Sequence, residues 1–268
     1  MPVSVGRKDS GYLSENPFLE LCHLYEEPQT EAIRRHMLRW MESTLDWVER
    51  VLISQPPTWP EPDIRRRALS MLDEPLHVLS APIEPPIAGF LNRRIGQAVD
   101  EIEGEQVTSG VTIWKLYNHS FLVKTPHVTI GFDLHRGPFE TFRIAPELFD
   151  RILRVTQALF VSHAHSDHAD AYAISRMIEM GRPVIVPPGL CQDSTWHDRL
   201  MQPERHLVVN HELALGETRI SYRVFPGHQG AELLNNVYLV DLPHDLHVMQ
   251  TGDQSHTEDF AWIDRVHE

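Results

Sequence analysis

One short segment constrains the fold of this chain more than any other. Three histidines and one aspartate fall within six positions directly behind an apolar run, residues 158–161. A strand that ends at the last apolar residue would place His163 and His165 in a loop where both rings turn toward one point, with Asp167 and His168 reaching a second point beside it. Imidazole nitrogen suits Zn, Fe, Ni and Cu, and a nearby carboxylate extends the choice to Mn. The segment therefore predicts a loop that serves two metal ions; the alternative is a surface loop rich in histidine that binds none.

The H-x-H-x-D-H spacing of residues 163–168 resembles the metal-binding motif of the metallo-β-lactamase superfamily. His228 ends the sequence Phe-Pro-Gly-His behind an alternating stretch and is similar to the third histidine at that family's first metal position. Asp253 ends Thr-Gly-Asp behind a further apolar run and is similar to the aspartate that bridges the two ions. Asp133 is similar to the aspartate that hydrogen-bonds and orients the metal-binding loop. The resemblance covers about residues 111–253.

This resemblance implies a complete set of roles. The first ion would be held by His163, His165 and His228, the second by Asp167 and His168, with Asp253 between them. Two divalent ions are expected, with Zn as the first choice and Mn or Fe as alternatives. A hydroxide bridging the ions would attack an ester, a lactone or a phosphodiester. Asp167 would also carry a proton to the leaving group, unless it acts as a ligand only.

The opening of the same region is similar to one branch of the superfamily. Trp114 and the sequence Asn-His-Ser-Phe-Leu-Val at 118–123 resemble the start of the branch that includes L-ascorbate-6-phosphate lactonase and N-acylphosphatidylethanolamine phospholipase D. In that branch His119 would act in catalysis by lining the substrate pocket; the alternative is that it stabilises a turn. The link between Trp114 and His119 is longer here than in the branch, so the substrate of that branch is not assigned to this chain.

The chain departs from the superfamily at the last metal ligand. That ligand is a histidine that follows the bridging aspartate after another strand and helix, but only 15 residues follow Asp253 in this sequence of 268. We expect the ligand and its strand-helix unit to be missing from this sequence. Either the natural protein continues beyond residue 268, or Asp167, His168 and Asp253 hold the second ion without the usual imidazole. His256 is a candidate substitute, with a surface position or a substrate contact as alternatives, and His267 falls near the end of a predicted helix.

The amino-acid composition limits the classes of molecule that this protein is expected to bind. The formal net charge of −14 argues against a nucleic acid, whose phosphates are bound by clustered Lys and Arg. We therefore expect a small-molecule substrate, for which Lys115, Arg136 or Arg143 could bind a negative charge. Cys22 and Cys191 form no disulfide framework, and no apolar run has the length of a signal peptide core or a membrane span. These features predict a cytoplasmic protein.

The hydrophobic period changes near residue 105, from helical before it to alternating after it. Before that point an apolar stripe recurs every three or four residues and predicts an amphipathic helix that begins after Pro28, with Thr30 as its N-cap; its members are Ile33, Met37, Trp40, Met41, Leu45, Val48 and Leu52. We therefore predict a helical extension or cap over 1–105 and an α/β domain over 106–268. By resemblance, that domain is a four-layer αββα sandwich with the metals at one edge. The extension would pack on the catalytic domain or cap its mouth; the alternative is the interface of a homo-oligomer.

Three functions are compatible with these sequence features. The first is a hydrolase with two metal ions. The second is a non-catalytic metal-binding or scaffold protein with an incomplete site, which the missing last histidine suggests. The third is a di-iron redox protein of the same superfamily, but such proteins pair this domain with a flavin domain, and no Gly-rich strand-helix motif is present.

Overall fold

The computed structural model describes residues 31–77, 85–116, 118–137, 143–230 and 233–255. These residues form five α-helices and two β-sheets, so the predicted α/β class is confirmed. The chain divides into two compact units between Arg93 and Arg94. Among the described helices, none is long and apolar enough to cross a membrane.

The first unit is helical. It contains α1 (Glu31–Ser54), α2 (Asp63–His77) and the first part of α3 (Pro85–Gly104), which continues into the second unit. Of the apolar residues predicted to form a stripe on α1, Met41, Leu45 and Val48 are buried, whereas Trp40 and Leu52 are half-buried. Val51, which the prediction did not include, is buried in place of Leu52. The Arg65 guanidinium donates hydrogen bonds to the carbonyls of Leu52 and Gln55, and so caps the end of α1. The proposed start of this helix, after Pro28 with Thr30 as its N-cap, lies outside the described residues.

After the end of α3, the second unit contains a five-stranded sheet whose strands lie side by side in sequence order. Its strands are β1 (Thr112–Lys115), β2 (Phe121–Lys124), β3 (Thr129–Phe132), β4 (Ala158–Phe160) and β5 (Val184–Ile185). β1 to β3 are antiparallel, whereas β3 to β5 are parallel because α4 (Pro146–Val155) and α5 (Ala171–Glu179) form the crossovers. Every residue of β3, β4 and β5 is buried, as in strands covered on both faces.

The second sheet is an antiparallel meander of four strands. They are β6 (Asn210–Leu215), β7 (Thr218–Gln229), β8 (Leu233–Leu242) and β9 (Leu246–Gln250). β7 buries the alternating residues Ile220, Tyr222 and Val224, as its sequence pattern predicts. β9 coincides with the apolar run that precedes Asp253.

The two sheets share one core. The Phe160 ring of the first sheet meets the rings of Tyr222 and Tyr238 of the second edge-on, at centroid distances of 5.4 and 5.2 Å. The Tyr238 hydroxyl donates a 2.7 Å hydrogen bond to the carbonyl of Val161, just beyond β4. A second link joins the Asn236 backbone N–H to the carbonyl of Ser162 at 2.7 Å. The second sheet thus holds the segment that leads into the histidine-rich loop.

Candidate metal centre

A buried carboxylate organises the loop that follows β4. Asp133, at the end of β3, accepts hydrogen bonds from the Ser162 backbone N–H at 2.6 Å and from the Ser162 hydroxyl at 2.8 Å. It also accepts from His168 Nδ1 at 2.9 Å and from Gln250 Nε2 at 2.7 Å. These bonds confirm that Asp133 orients the loop, and they connect it to both sheets.

The same bonds determine which histidine nitrogens are protonated. A carboxylate only accepts, so His168 must carry its proton on Nδ1 to bond Asp133. The single hydroxyl proton of Ser162 also goes to Asp133, so Ser162 Oγ accepts from His163 Nδ1, 3.0 Å away. In the neutral form of each ring, Nε2 then carries the bare lone pair, which is the form in which histidine binds a metal.

The two exposed lone pairs are left without partners. Among the described residues, His163 Nε2 and His168 Nε2 are buried and accept no hydrogen bond. A buried polar atom without a partner costs free energy unless an ion or another ligand satisfies it. Two such nitrogens beside a carboxylate therefore fit a divalent metal centre.

Asp253 provides that carboxylate. It follows β9 in a turn where Gly252 has a φ of +55°, and a side chain on Gly252 would collide with Ser162 and Asn235. Asp253 Oδ1 lies 3.4 Å from His168 Nε2, and Oδ2 lies 3.9 Å from His163 Nε2. Gln229 Nε2 donates to Oδ2 at 2.9 Å and holds the carboxylate in place.

Two groups of ligand atoms meet at Asp253. In each group, the atoms lie within 4.8 Å of one another. The first consists of His163, His165 and Asp253; the second consists of His119, His168 and Asp253. The structure therefore brings together His119, His163, His165, His168 and Asp253.

Asp167 lies beside the second group. Its Oδ2 is 3.7 Å from His168 Nε2 and accepts a 2.9 Å hydrogen bond from Asn118 Nδ2. Burial alone would raise the pKa of Asp167, but the neighbouring His168 and the bond from Asn118 outweigh it, so the pKa is lowered. The carboxylate is thus kept ionised and available as a ligand.

His228 lies on β7, and neither of the two groups includes its ring. Its backbone N–H donates to Gln254 Oε1 at 2.8 Å, and its carbonyl accepts from the Ser255 N–H at 3.1 Å. These bonds connect the end of β7 to the segment that follows Asp253. His256 and His267 lie outside the described residues.

The histidines differ in their response to acid. Burial lowers the pKa of His163 to about 4, so this ring stays neutral at physiological pH. For His168, burial would lower the pKa, but the hydrogen bond to Asp133 outweighs it and the pKa is raised. Protons therefore compete with a metal more strongly at His168 than at His163.

Three basic side chains were predicted as candidates for binding a negatively charged substrate, and two of them bind other groups of the protein. Arg136 pairs with Asp170 at 3.2 Å and lies 4.0 Å above the Tyr172 ring. Lys115 Nζ donates to the Asn118 carbonyl at 2.5 Å. Arg143 is exposed.

Sequence reasoning overlooked the polar residues that support the ligands. Ser162, Asn118, Gln229 and Gln250 each hydrogen-bond a candidate ligand or Asp133. Every one of them lies within a residue or two of a motif, so adjacency to a ligand was the available signal.

No protein-family model matches this sequence, and neither does any curated protein sequence. Several solved structures are similar. A metallo-hydrolase from the archaeon Ignicoccus hospitalis has 17% identity over 55% of this chain and 63% of its own, with a TM-score of 0.41. A possible metal-dependent hydrolase from Veillonella parvula has 19% identity over 58% of this chain and 66% of its own, with a TM-score of 0.40. CmlA, a diiron β-hydroxylase from Streptomyces venezuelae, has 13% identity over 66% and 41%, with a TM-score of 0.44.

This chain spans less than two thirds of the length of each of those structures.

Proposed function

We propose that this chain is a metal-dependent hydrolase with a dinuclear centre at the edge where β3, β4 and β9 end. One observation carries the proposal: the carboxylate of Asp253 belongs to two groups of histidines at once, with Oδ2 nearest His163 and Oδ1 nearest His168. A bridging carboxylate between two imidazole-lined positions is the arrangement that two neighbouring ions require. The H-x-H-x-D-H motif and its superfamily resemblance give independent support.

The ligands are divided between the two positions. His163, His165 and Asp253 would hold the first ion, to which the resemblance adds His228, while Asp167, His168 and Asp253 would hold the second. This nitrogen-rich donor set suits Zn, with Fe and Mn as alternatives. When bound, such ions polarise an ester or phosphoryl oxygen and lower the pKa of water to about 7, which makes hydrolysis feasible at neutral pH.

The surrounding residues prepare the ligands. Asp133 and Ser162 fix the tautomers of His163 and His168, and Gln229 prevents Asp253 from rotating. The lowered pKa keeps Asp167 ionised, so in the proposed reaction this carboxylate would accept a proton and return it to the leaving group, unless it acts as a ligand only. The substrate we propose is a small molecule with an ester, lactone or phosphodiester bond.

The test uses the full chain with its metal content measured in parallel. His165→Ala and Asp253→Ala should each lower hydrolysis of ester or phosphodiester reporters by at least about 100-fold, whereas His127→Ala, a change to another exposed histidine, should leave the rate unchanged. Full activity in both ligand variants would reject the proposal. Metal binding without hydrolysis of any reporter would favour the non-catalytic alternative.

A further inference from the structure

We infer that His119 is a ligand of the second ion, where it completes a donor set with Asp167, His168 and Asp253. The inference rests on the function proposed above, because it takes the metal centre as its starting point. It gives His119 a role other than lining the pocket or stabilising a turn.

The distances between donor atoms support this role. His119 Nε2 lies 3.5 Å from Asp253 Oδ1, and His168 Nε2 lies 3.4 Å from the same oxygen. Asp167 Oδ2 lies 3.7 Å from His168 Nε2. Bonds of about 2.0–2.2 Å to a tetrahedral zinc ion place its ligand atoms about 3.3–3.6 Å apart. The three separations are close to that range.

A direct hydrogen bond explains the position of His119 less well. An N–H···O bond has its optimum at about 2.9–3.0 Å, and 3.5 Å is at the limit of the interaction. The His119 ring is also stacked on His168, at a centroid distance of 4.7 Å with 25° between the planes. Two neighbouring imidazoles whose Nε2 atoms both approach one carboxylate oxygen are arranged as ligands of one ion.

The backbone on both sides of His119 is fixed. Asn118 has a φ of 51° and donates its side-chain amide to Asp167, another ligand of the same ion. Ser120 is buried, donates its hydroxyl to the Asp133 carbonyl at 2.7 Å and accepts from the His135 N–H at 3.2 Å. The two residues that flank His119 are therefore attached to Asp167 and Asp133 in the absence of an ion, which lowers the entropic cost of binding one.

The first experiment measures metal binding. The full chain, His119→Ala and the control His127→Ala are stripped with a chelator and titrated calorimetrically with Zn²⁺. Because the His119 side chain is 45% exposed, its truncation should leave the fold intact, which circular dichroism would verify. We expect two ions in the parent and the control, and in His119→Ala a second ion bound about 100-fold more weakly or not at all.

The second experiment asks whether residue 119 touches the ion. His119→Cys is loaded with Co²⁺, and its absorption spectrum is compared with that of the parent, which contains the same two native cysteines. A thiolate-to-cobalt charge-transfer band that appears only in the variant would identify residue 119 as a ligand. A residue that merely contacts substrate or supports a turn would produce no such band.

The outcomes separate the inference from the function on which it rests. Two ions bound with unchanged affinity in His119→Ala, together with no new band in His119→Cys, would overturn the inference and leave the hydrolase proposal standing. A parent chain that binds no Zn²⁺, and no Mn²⁺ or Fe²⁺ in the same titration, would overturn both.

Discussion

Among single residues, Asp133 has the greatest influence on the candidate site although it is not a candidate ligand. Its carboxylate receives four hydrogen bonds, and two of the donors, Ser162 and His168, lie in the metal loop. Through them it decides which nitrogen of His163 and His168 is free. The chemistry of the site therefore depends on a group that never needs to contact the substrate.

Replacing Asp133 by Asn tests this dependence. The new amide nitrogen would face donors that need an acceptor, so the His168 tautomer would no longer be fixed. We expect Asp133→Asn to weaken Zn²⁺ binding about 10- to 100-fold without removing a ligand, measured by competition with a chromogenic chelator. Asp241→Asn, at a carboxylate bonded to Ser221 and His247, is the matched control and should bind Zn²⁺ normally.

His135 should make the stability of the metal-free protein depend on pH. Burial lowers its pKa from 6.5 to about 4 in the folded chain, so between these values the unfolded chain binds more protons and folding weakens as the pH falls. This residue alone should lower the free energy of unfolding by about 2 kcal/mol between pH 7 and pH 5. Urea denaturation in excess chelator at the two pH values measures this change in the free energy of unfolding.

The variant His135→Gln removes this contribution, so its stability should fall less between the two pH values than that of the parent. His127→Ala, at an exposed histidine, should fall as much as the parent. Equal losses in the parent and His135→Gln would contradict the assignment.

At the level of helices and strands, α5 fixes the far end of the metal loop. Asp170 caps this helix by accepting from the N–H groups of Tyr172 and Ala173, and it also binds Arg136. Burial would raise the pKa of Asp170, but the hydrogen bonds from the backbone and side chain of Arg136 outweigh it, and the pKa is lowered. The loop is thus held between β4 at its start and a capped helix at its end.

Asp170→Ala should therefore lower the free energy of unfolding by about 1–2 kcal/mol, as the loss of an N-cap does, and should loosen the metal loop. Asp170→Asn, which keeps an acceptor, should cost less, and Asp193→Ala at an exposed aspartate should cost little. Thermal melts of the three variants give the comparison. An Asp170→Ala melt identical to that of Asp193→Ala would show that the cap does not stabilise the helix.

The sequence predicted the elements that carry a periodic signal and missed contacts made across long separations. The helical stripe of α1, the strand at 246–250 and the closeness of His163 to His165 follow from local spacing. By contrast, the bond from Gln250 to Asp133 joins residues 117 positions apart, and nothing local marks it. The packing of the His119 ring on His168 likewise depends on how β1 and β2 pair with β3 and β4.

For the whole molecule, the metal centre should contribute to stability as well as to activity. The buried lone pairs of His163 and His168 are unsatisfied by the described residues, so an ion that binds them stabilises the folded chain and not the unfolded one. The net charge of −14 should also favour cations over anions near the protein. Removal of the metal is therefore expected to lower the stability of the folded chain.

Treatment with a chelator should lower the Tm, and adding Zn²⁺ after the chelator is removed should restore it. At a free concentration about 100 times the Kd, one ion adds about 2.7 kcal/mol, which corresponds to a rise of about 5–10 °C for a domain of this size. Differential scanning calorimetry measures this shift in Tm. Mg²⁺ is the control ion, because it prefers oxygen ligands and binds imidazole weakly. A Tm that is the same with and without Zn²⁺ would count against a metal centre in the folded chain.

The position of Asp133 between the two sheets also bears on the order of events as the chain is made. Ser162 and His168 reach this carboxylate from one sheet, and Gln250 reaches it from the last strand of the other. A ribosome-bound chain whose synthesis has not reached β9 contains neither Gln250 nor Asp253, and so lacks both a support of the loop and the carboxylate shared by the two groups of histidines. If the proposed centre forms, we therefore expect metal binding to be a late step, which a nascent chain cannot complete until synthesis has passed residue 253.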